Sequence, residues 1–139
     1  MPNKPTVLVD INILLDVLQK REPFFETSAR LLSLIEIGKV KGFVASHSIT
    51  TLFYLIKKDR STTEARTIIT TLLQFMKVAA VSHSTIEQAL NLDYRDFEDA
   101  VQMISAVQCK ADCLITRNIK DYQPPLLSVL KPVDFLATL

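Results

Sequence analysis

Apolar positions along this chain fall into two alternating patterns. Short runs rich in valine and isoleucine occur near residues 6–10, 42–45, 77–81 and 112–116, with a weaker one near 127–130, each bounded by polar residues and too brief for a helix. Between them, apolar residues recur at helical spacing near 11–19, 26–37, 47–58, 62–75, 85–92, 97–110 and 132–138. Strands alternating with helices predict a mainly parallel sheet covered on both faces, hence an α/β fold of three layers, α/β/α, in a single domain spanning 1–139.

Most of the helices carry a start or stop signal. Ser61-x-x-Glu64 and Ser84-x-x-Glu87 match the capping box, in which a hydroxyl and a carboxylate reciprocally satisfy free N–H groups at a helix start, and Gly38 suits a helix end. Ser46-His47-Ser48 and Ser82-His83-Ser84 each follow a strand and precede a helix, so both triplets read as capping chemistry rather than a duplicated active site. His47 and His83 are accordingly expected in capping loops and not as catalytic bases, no partner being identifiable near either.

The polar residues at strand ends carry the candidate chemistry. Asp10 closes the apolar strand Thr6-Val7-Leu8-Val9, where it can cap the next helix or serve as a functional acid, since open α/β sheets bind ligands outside the carboxyl ends of their strands. A second group of acids, Asp93, Asp96, Glu98 and Asp99, stands at the entrance to another helix, with Asp96 and Asp99 one turn apart; capping favoured by the helix dipole is the structural alternative there. The buried strand Cys113-Leu114-Ile115-Thr116 then runs into Arg117-Asn118-Ile119-Lys120-Asp121-Tyr122. If the first and fourth strands are neighbours, Asp10, Asp99 and Asn118 or Asp121 face one cleft, with Thr116 offering a hydroxyl to it. Carboxylates so gathered repel one another unless protonated or neutralised by a cation, and an all-oxygen donor set selects a hard one, Mg2+ or Mn2+, suited to phosphodiester hydrolysis.

Composition narrows the field. The chain's 139 residues are 48% apolar, enough for one sizeable core, and a net charge of +1 with interspersed signs leaves no basic tail to attract nucleic acid from a distance. Any such binding must come from a local patch. No apolar run approaches the roughly 18 residues of a membrane span, and Met1-Pro2-Asn3-Lys4-Pro5 lacks a signal-peptide core, so the chain is expected to be cytoplasmic, with no membrane partner. Cys109 and Cys113 are expected as buried, inert thiols, and two glycines, Gly38 and Gly42, cannot build a phosphate cradle or dinucleotide fingerprint.

These segments, in this order, resemble the PIN domain family, which includes metal-dependent ribonucleases such as the VapC-type toxins of bacterial toxin–antitoxin pairs. The resemblance covers nearly the whole chain: residues 7–16, Val44-Ala45-Ser46 with the helix that follows, Asp96-Phe97-Glu98-Asp99-Ala100, and residues 114–122. It implies a small acidic pocket that binds one or two Mg2+ or Mn2+ ions and cleaves single-stranded RNA, with a possible antitoxin protein as partner and a homodimer as the expected assembly. Asp10 matches the family's first metal-binding acid, Asp99 its third, and Asp96 an extra acid found in some members, so these three are the expected metal ligands. Thr116 matches a hydroxyl beside the pocket, Asn12 a small polar residue beside the first acid, and Ser46 the motif after the second strand. Asn118 and Asp121 complete the expected catalytic set, and Asn12, Ser46, Arg117 and Lys120 the expected substrate contacts.

Two positions depart from the family pattern. No acid occurs from Ser46 to Lys58, where the family places a glutamate near Thr51, and the usual fourth acid is Asn118. Two fewer charges weaken affinity for a hard cation, with Asp96 and Asp121 as the available compensation. The alternative reading is therefore a catalytically weak or inactive PIN-fold module for RNA or protein binding. A phosphotransfer domain is disfavoured, because Asn12 stands where a phosphatase needs a second aspartate.

Remaining expectations are structural. Lys57, Lys58 and Arg60 read as solvated helix-end cations more than as phosphate contacts, Tyr54 and Tyr122 as core more than as base-stacking platforms, and Asp16 as a surface residue or a member of a helix pair rather than a ligand. The apolar helix near 62–75 supplies either a dimer face or core.

Overall fold

Val7, Leu8 and Val9 are wholly buried, which requires a strand paired on both edges and covered on both faces. The computed structural model describes residues 4–139; Met1–Asn3, part of the lead-in read from the sequence, lie outside the described residues. The central strand β1 (Thr6–Val9) is followed by α1 (Ile11–Leu18), α2 (Phe25–Glu36), β2 (Lys41–Ala45), α3 (Ser46–Asp59), α4 (Thr62–Leu72), β3 (Lys77–Ala79), α5 (His83–Ala89), α6 (Phe97–Gln108), β4 (Cys113–Ile115), a 3-10 turn (Ile119–Asp121), β5 (Ser128–Leu130) and α7 (Pro132–Leu136). The strands order as β3-β2-β1-β4-β5, all pairs parallel, with Leu8 opposite Phe43 on one side and Leu114 on the other.

Alternate residues of the strands serve two cores. Val7, Val9, Val44, Cys113 and Ile115 pack with Ile13, Leu14, Leu31, Leu52, Ile56, Ala65 and Phe135 from α1 to α4 and α7. Leu8, Ala45, Ala79 and Leu114 pack with Met103, Ala106 and Tyr122 on the opposite face, where α5 and α6 join through Ala89, Ala100, Val101 and Ile104. Three layers, α/β/α, follow as expected. Each fully buried leucine or valine adds about 1.5–3 kcal/mol relative to exposure. Gly42 has a specific reason: a Cβ there would lie 2.7 Å from Ile35 Cδ1, so only glycine admits α2 this close to β2.

Chain order sets the position of the site. From β1 the chain winds outward through β2 to β3, then returns past β1 to form β4 and β5. The reversal opens a crevice at the carboxyl ends of β1 and β4, the usual ligand position in open α/β sheets.

Several local expectations are corrected. The cap of α5 is Ser82, which exchanges hydrogen bonds with Thr85 (Thr85 N to Ser82 Oγ 3.4 Å, Ser82 N to Thr85 Oγ1 3.0 Å), not Ser84 with Glu87. Thr85 is fully buried and cannot stay unpaired, which favours that register. Ser61 does cap α4 by accepting from Glu64 N at 3.1 Å, and Gly38 ends α2 at φ +82°. Asp16 is fully buried rather than on the surface, and Tyr54, expected in the core, is 60% exposed. The apolar stretch after Ser61 is divided: Leu72 is buried and Leu73 exposed. Cys113 is buried and Cys109 half-buried, and burial pushes the Cys113 thiol up to about 11, so it stays protonated and inert. Among the described residues no helix is long and apolar enough to cross a membrane.

Candidate active site

At the mouth of the β1/β4 crevice lies a hollow of about 230 Å3 in which polar surface predominates. β1 delivers Asp10 and the first turn of α1 delivers Asn12; α3 contributes His47 and Ser48; α6 contributes Asp96 at its cap with Glu98, Asp99 and Gln102; the loop after β4 contributes Asn118 and Asp121. Residues drawn from distant parts of the chain thus meet at one place.

Asp10 is both cap and site residue. Its backbone is extended (φ −65°, ψ 144°), and its Oδ1 accepts the Asn12 N–H at 3.1 Å. Its Oδ2 accepts the Thr116 hydroxyl at 2.8 Å and the Tyr122 hydroxyl at 3.3 Å. Three donors on a carboxylate only 6% exposed answer the rule that buried charges need partners. Asp96 behaves alike, capping α6 by accepting Glu98 N at 2.9 Å.

Asp99 is crowded. Burial first, then the carboxylates of Asp96, Asp10 and Asp121, push it up to about 7. No lysine or arginine among the described residues forms an ion pair with any of these four acids. Burial also lowers the His47 pKa against the raising influence of Glu98 and Asp10, leaving a neutral imidazole near pH 7, with its Nδ1 buried and unpartnered.

The donors suit a hard cation by type, all being oxygens apart from His47. Among the described residues, however, no three His, Cys, Asp or Glu side chains are set to grip one ion directly. Asp10 and Asp96 already hold backbone and hydroxyl donors, so the hollow suits an ion that keeps much of its own water, as Mg2+ characteristically does.

Several expected residues take other places. Thr116 is fully buried and holds Asp10 from behind instead of facing the cleft. Arg117 does not line the hollow: its Nε lies 3.1 Å from Asp16 Oδ2, and its guanidinium sits 4.0 Å over the Phe24 ring. That Nε–H is not aimed along the contact, which is a charge pair more than an aligned hydrogen bond. Arg117 lines instead a separate apolar hollow of about 240 Å3 with Phe24, Lys131 and Val133, so its expected role as a free phosphate contact is corrected. Ser46 opens α3 without capping it, and the α3 residues at the hollow are His47 and Ser48. Lys120 is exposed on the 3-10 turn, outside the lining.

His47, Ser48, Gln102 and Tyr122 line or support the hollow without having been among the expected site residues, His47 and Ser48 having been read as capping chemistry and Tyr122 as core. One signal was present, because Gln102 is the most polar side chain in Ala100–Ala106, a stretch buried on every side.

A family model described as "PIN domain" matches residues 6–120 of this chain. Ribonuclease VapC1 of Aquifex aeolicus is 26% identical over 141 residues, covering 96% of this chain and 94% of that protein. The VapBC2 structure from Rickettsia felis, bound to a DNA fragment from its promoter, superposes with a TM-score of 0.70 at 16% identity, over 91% of this chain and 97% of that one. A toxin–antitoxin complex from Klebsiella pneumoniae superposes with a TM-score of 0.70 at 22% identity over the same shares, 91% and 97%. At these identities the likeness to the solved structures is one of fold.

Proposed function

This chain belongs to the PIN domain family, and on that premise we propose that it is an endoribonuclease dependent on Mg2+ or Mn2+, hydrolysing phosphodiester bonds of single-stranded RNA as the toxin of a type II toxin–antitoxin pair. The observation that carries the reading is the uncompensated acid cluster: Asp10, Asp96, Asp99 and Asp121 share one hollow with no cation paired to them among the described residues, and Asp99 is pushed to about 7 by burial and then by the other three carboxylates. The name of the Aquifex relative supports ribonuclease chemistry.

Asp10 and Asp99 would hold the ion, with Asp96 and Asp121 completing its surroundings through water. Bound there, the cation would acidify a water and stabilise the charge that develops on the phosphoryl oxygens. The chain's own part is to hold these oxygens still: Thr116, Tyr122 and the Asn12 N–H fix Asp10, while the first turn of α6 fixes Asp96. The amides of Asn12 and Asn118 offer neutral hydrogen bonds to ribose or phosphate, and Lys120 stands exposed beside them for a backbone phosphate. A neutral His47 keeps one wall uncharged.

Likeness to the Rickettsia and Klebsiella complexes supports an antitoxin partner. Exposed Tyr54 and Leu73 on the packed pair α3 and α4 support a homodimer, and we place the protein in the cytoplasm. A second reading, a PIN-fold module without chemistry, draws on the absence of an acid from Ser46 to Lys58 and of a preformed three-donor site among the described residues. Calorimetric Mn2+ titration with cleavage of single-stranded RNA, using Asp10→Asn as control, decides between them: binding and cleavage lost in the variant support the nuclease, and neither in the parent supports the module.

A further inference from the structure

Beneath the acid hollow a line of hydrogen bonds crosses the interior from α3 to β1. Ser48 Oγ donates to Gln102 Oε1 at 3.2 Å, Gln102 Nε2 donates to Tyr122 Oη at 2.8 Å, and Tyr122 Oη donates to Asp10 Oδ2 at 3.3 Å. Ser48 and Gln102 are each 4% exposed and Tyr122 1%, so water does not compete for these groups. The direction of the line is determined by its members. Gln102 spends its oxygen on Ser48 and must give a proton to Tyr122; the tyrosine oxygen, having accepted, gives its single proton onward to Asp10.

Tyr122 is well suited to that task. Its hydroxyl is shut away from water and held on both sides, accepting from Gln102 and donating to Asp10. Its ring is held edge-on to Tyr94, 6.4 Å between centroids at 85°, and the Tyr94 hydroxyl is tied to the Pro124 carbonyl at 2.6 Å. The consequence falls on Asp10. Oδ2 has both lone pairs engaged, by Thr116 and Tyr122, and Oδ1 has one engaged by the Asn12 N–H. One acceptor site is left, on Oδ1.

Resting on the nuclease reading above, we propose that Tyr122, aimed by Gln102 and Ser48, is a positioning residue for hydrolysis: it locks the Asp10 carboxylate with Oδ2 turned inward, so that Asp10 meets a cation through Oδ1 alone. A carboxylate oriented in advance need not reorganise when the cation or the transition state arrives, and partners that orient a ligand in this way govern affinity and rate without touching substrate.

The test uses the full chain. Tyr122→Phe keeps the ring against Tyr94 and removes the hydroxyl. We expect the Mn2+ dissociation constant, read by calorimetry, to rise about tenfold and kcat to fall about tenfold, with KM for a single-stranded RNA within about twofold of the parent. The variant also orphans the Gln102 amide and so lowers thermal stability. Tyr122→Phe with Gln102→Leu and Ser48→Ala removes every group the line would leave orphaned: stability should return while Mn2+ affinity and kcat stay impaired. If affinity recovers together with stability, or if Tyr122→Phe binds and cleaves like the parent, the positioning role is overturned while the nuclease reading stands. A parent that neither binds Mn2+ nor cleaves RNA overturns both. Should Tyr122→Phe fail to fold, Ser48→Ala at the far end of the line carries the same test, with a loss of about twofold to threefold expected in Mn2+ affinity and unchanged affinity overturning the proposal.

Discussion

Thr116 and Asp10 lie 106 positions apart, yet the threonine hydroxyl donates to the aspartate carboxylate across 2.8 Å. The bond spans the ends of two neighbouring parallel strands, β4 and β1, whose register places Val9 opposite Ile115. One more residue along each strand reaches the hydroxyl and the acid. The hollow is therefore anchored to the stiffest part of the sheet, where preorganisation is easiest to maintain.

Asp10→Asn should remove Mn2+ binding and lower RNA cleavage on the order of 10²-fold, because the negative charge is lost while the shape is kept. Thermal stability should also fall, by about 1–3 kcal/mol, because the amide nitrogen that replaces Oδ2 cannot accept the buried Thr116 and Tyr122 hydroxyls, while the amide oxygen still accepts the Asn12 N–H. Calorimetry, single-turnover kinetics and a melting curve on the same preparation check all three; cleavage equal to the parent would remove Asp10 from the chemistry.

Stability without metal should fall as pH rises. Asp99 is raised from 3.8 to about 7, mainly by burial and then by its acidic neighbours, so folding favours the protonated form. That contribution is fully present below the unfolded value and disappears as pH climbs through the folded one. In EDTA the unfolding midpoint should drop between about pH 4 and about pH 7, Mn2+ should flatten the trend by favouring the carboxylate, and Asp99→Asn should weaken it, leaving the smaller part that buried Asp16 supplies. A midpoint that rises over that interval in EDTA contradicts the crowding.

Arg117→Ala should cost about 3 kcal/mol in urea unfolding, since it leaves a buried acid without its close partner. Asp16 has no exposed side-chain surface, its pKa is raised by burial against the lowering pull of Arg117, and Arg21 lies farther off at 3.9 Å. The pair Asp16→Leu with Arg117→Met should recover most of the loss. A higher KM for RNA with unchanged stability would return Arg117 to the substrate path.

Gly42→Ala should destabilise by about 1–3 kcal/mol through overpacking against Ile35. The added Cβ would meet Ile35 Cδ1 at 2.7 Å and Cγ2 at 2.9 Å. Combining it with Ile35→Val, which removes Cδ1, should restore part of the stability; no recovery would mean that the backbone itself resists the change.

The fold was legible because its signals are local. Runs of valine and isoleucine bounded by polar residues marked every strand within a few positions, and helical periodicity marked α1 to α7, since each element must present an apolar face to bury. Asp10, Asp96, Asp99, Asn118 and Asp121 were legible for a related reason, lying at strand ends and a helix entrance where this class of sheet places its ligands. The sequence by itself therefore determined the layers and most of the acids at the hollow. What a side chain does once elements pack is set by neighbours remote in sequence, and there only the tertiary structure decided. It buried Asp16 against Arg117, turned Thr116 behind the carboxylate, and ran Ser48, Gln102 and Tyr122 into one line. Periodicity records whether a residue faces inward. It does not record which polar partner, drawn from a distant segment, waits there to satisfy it.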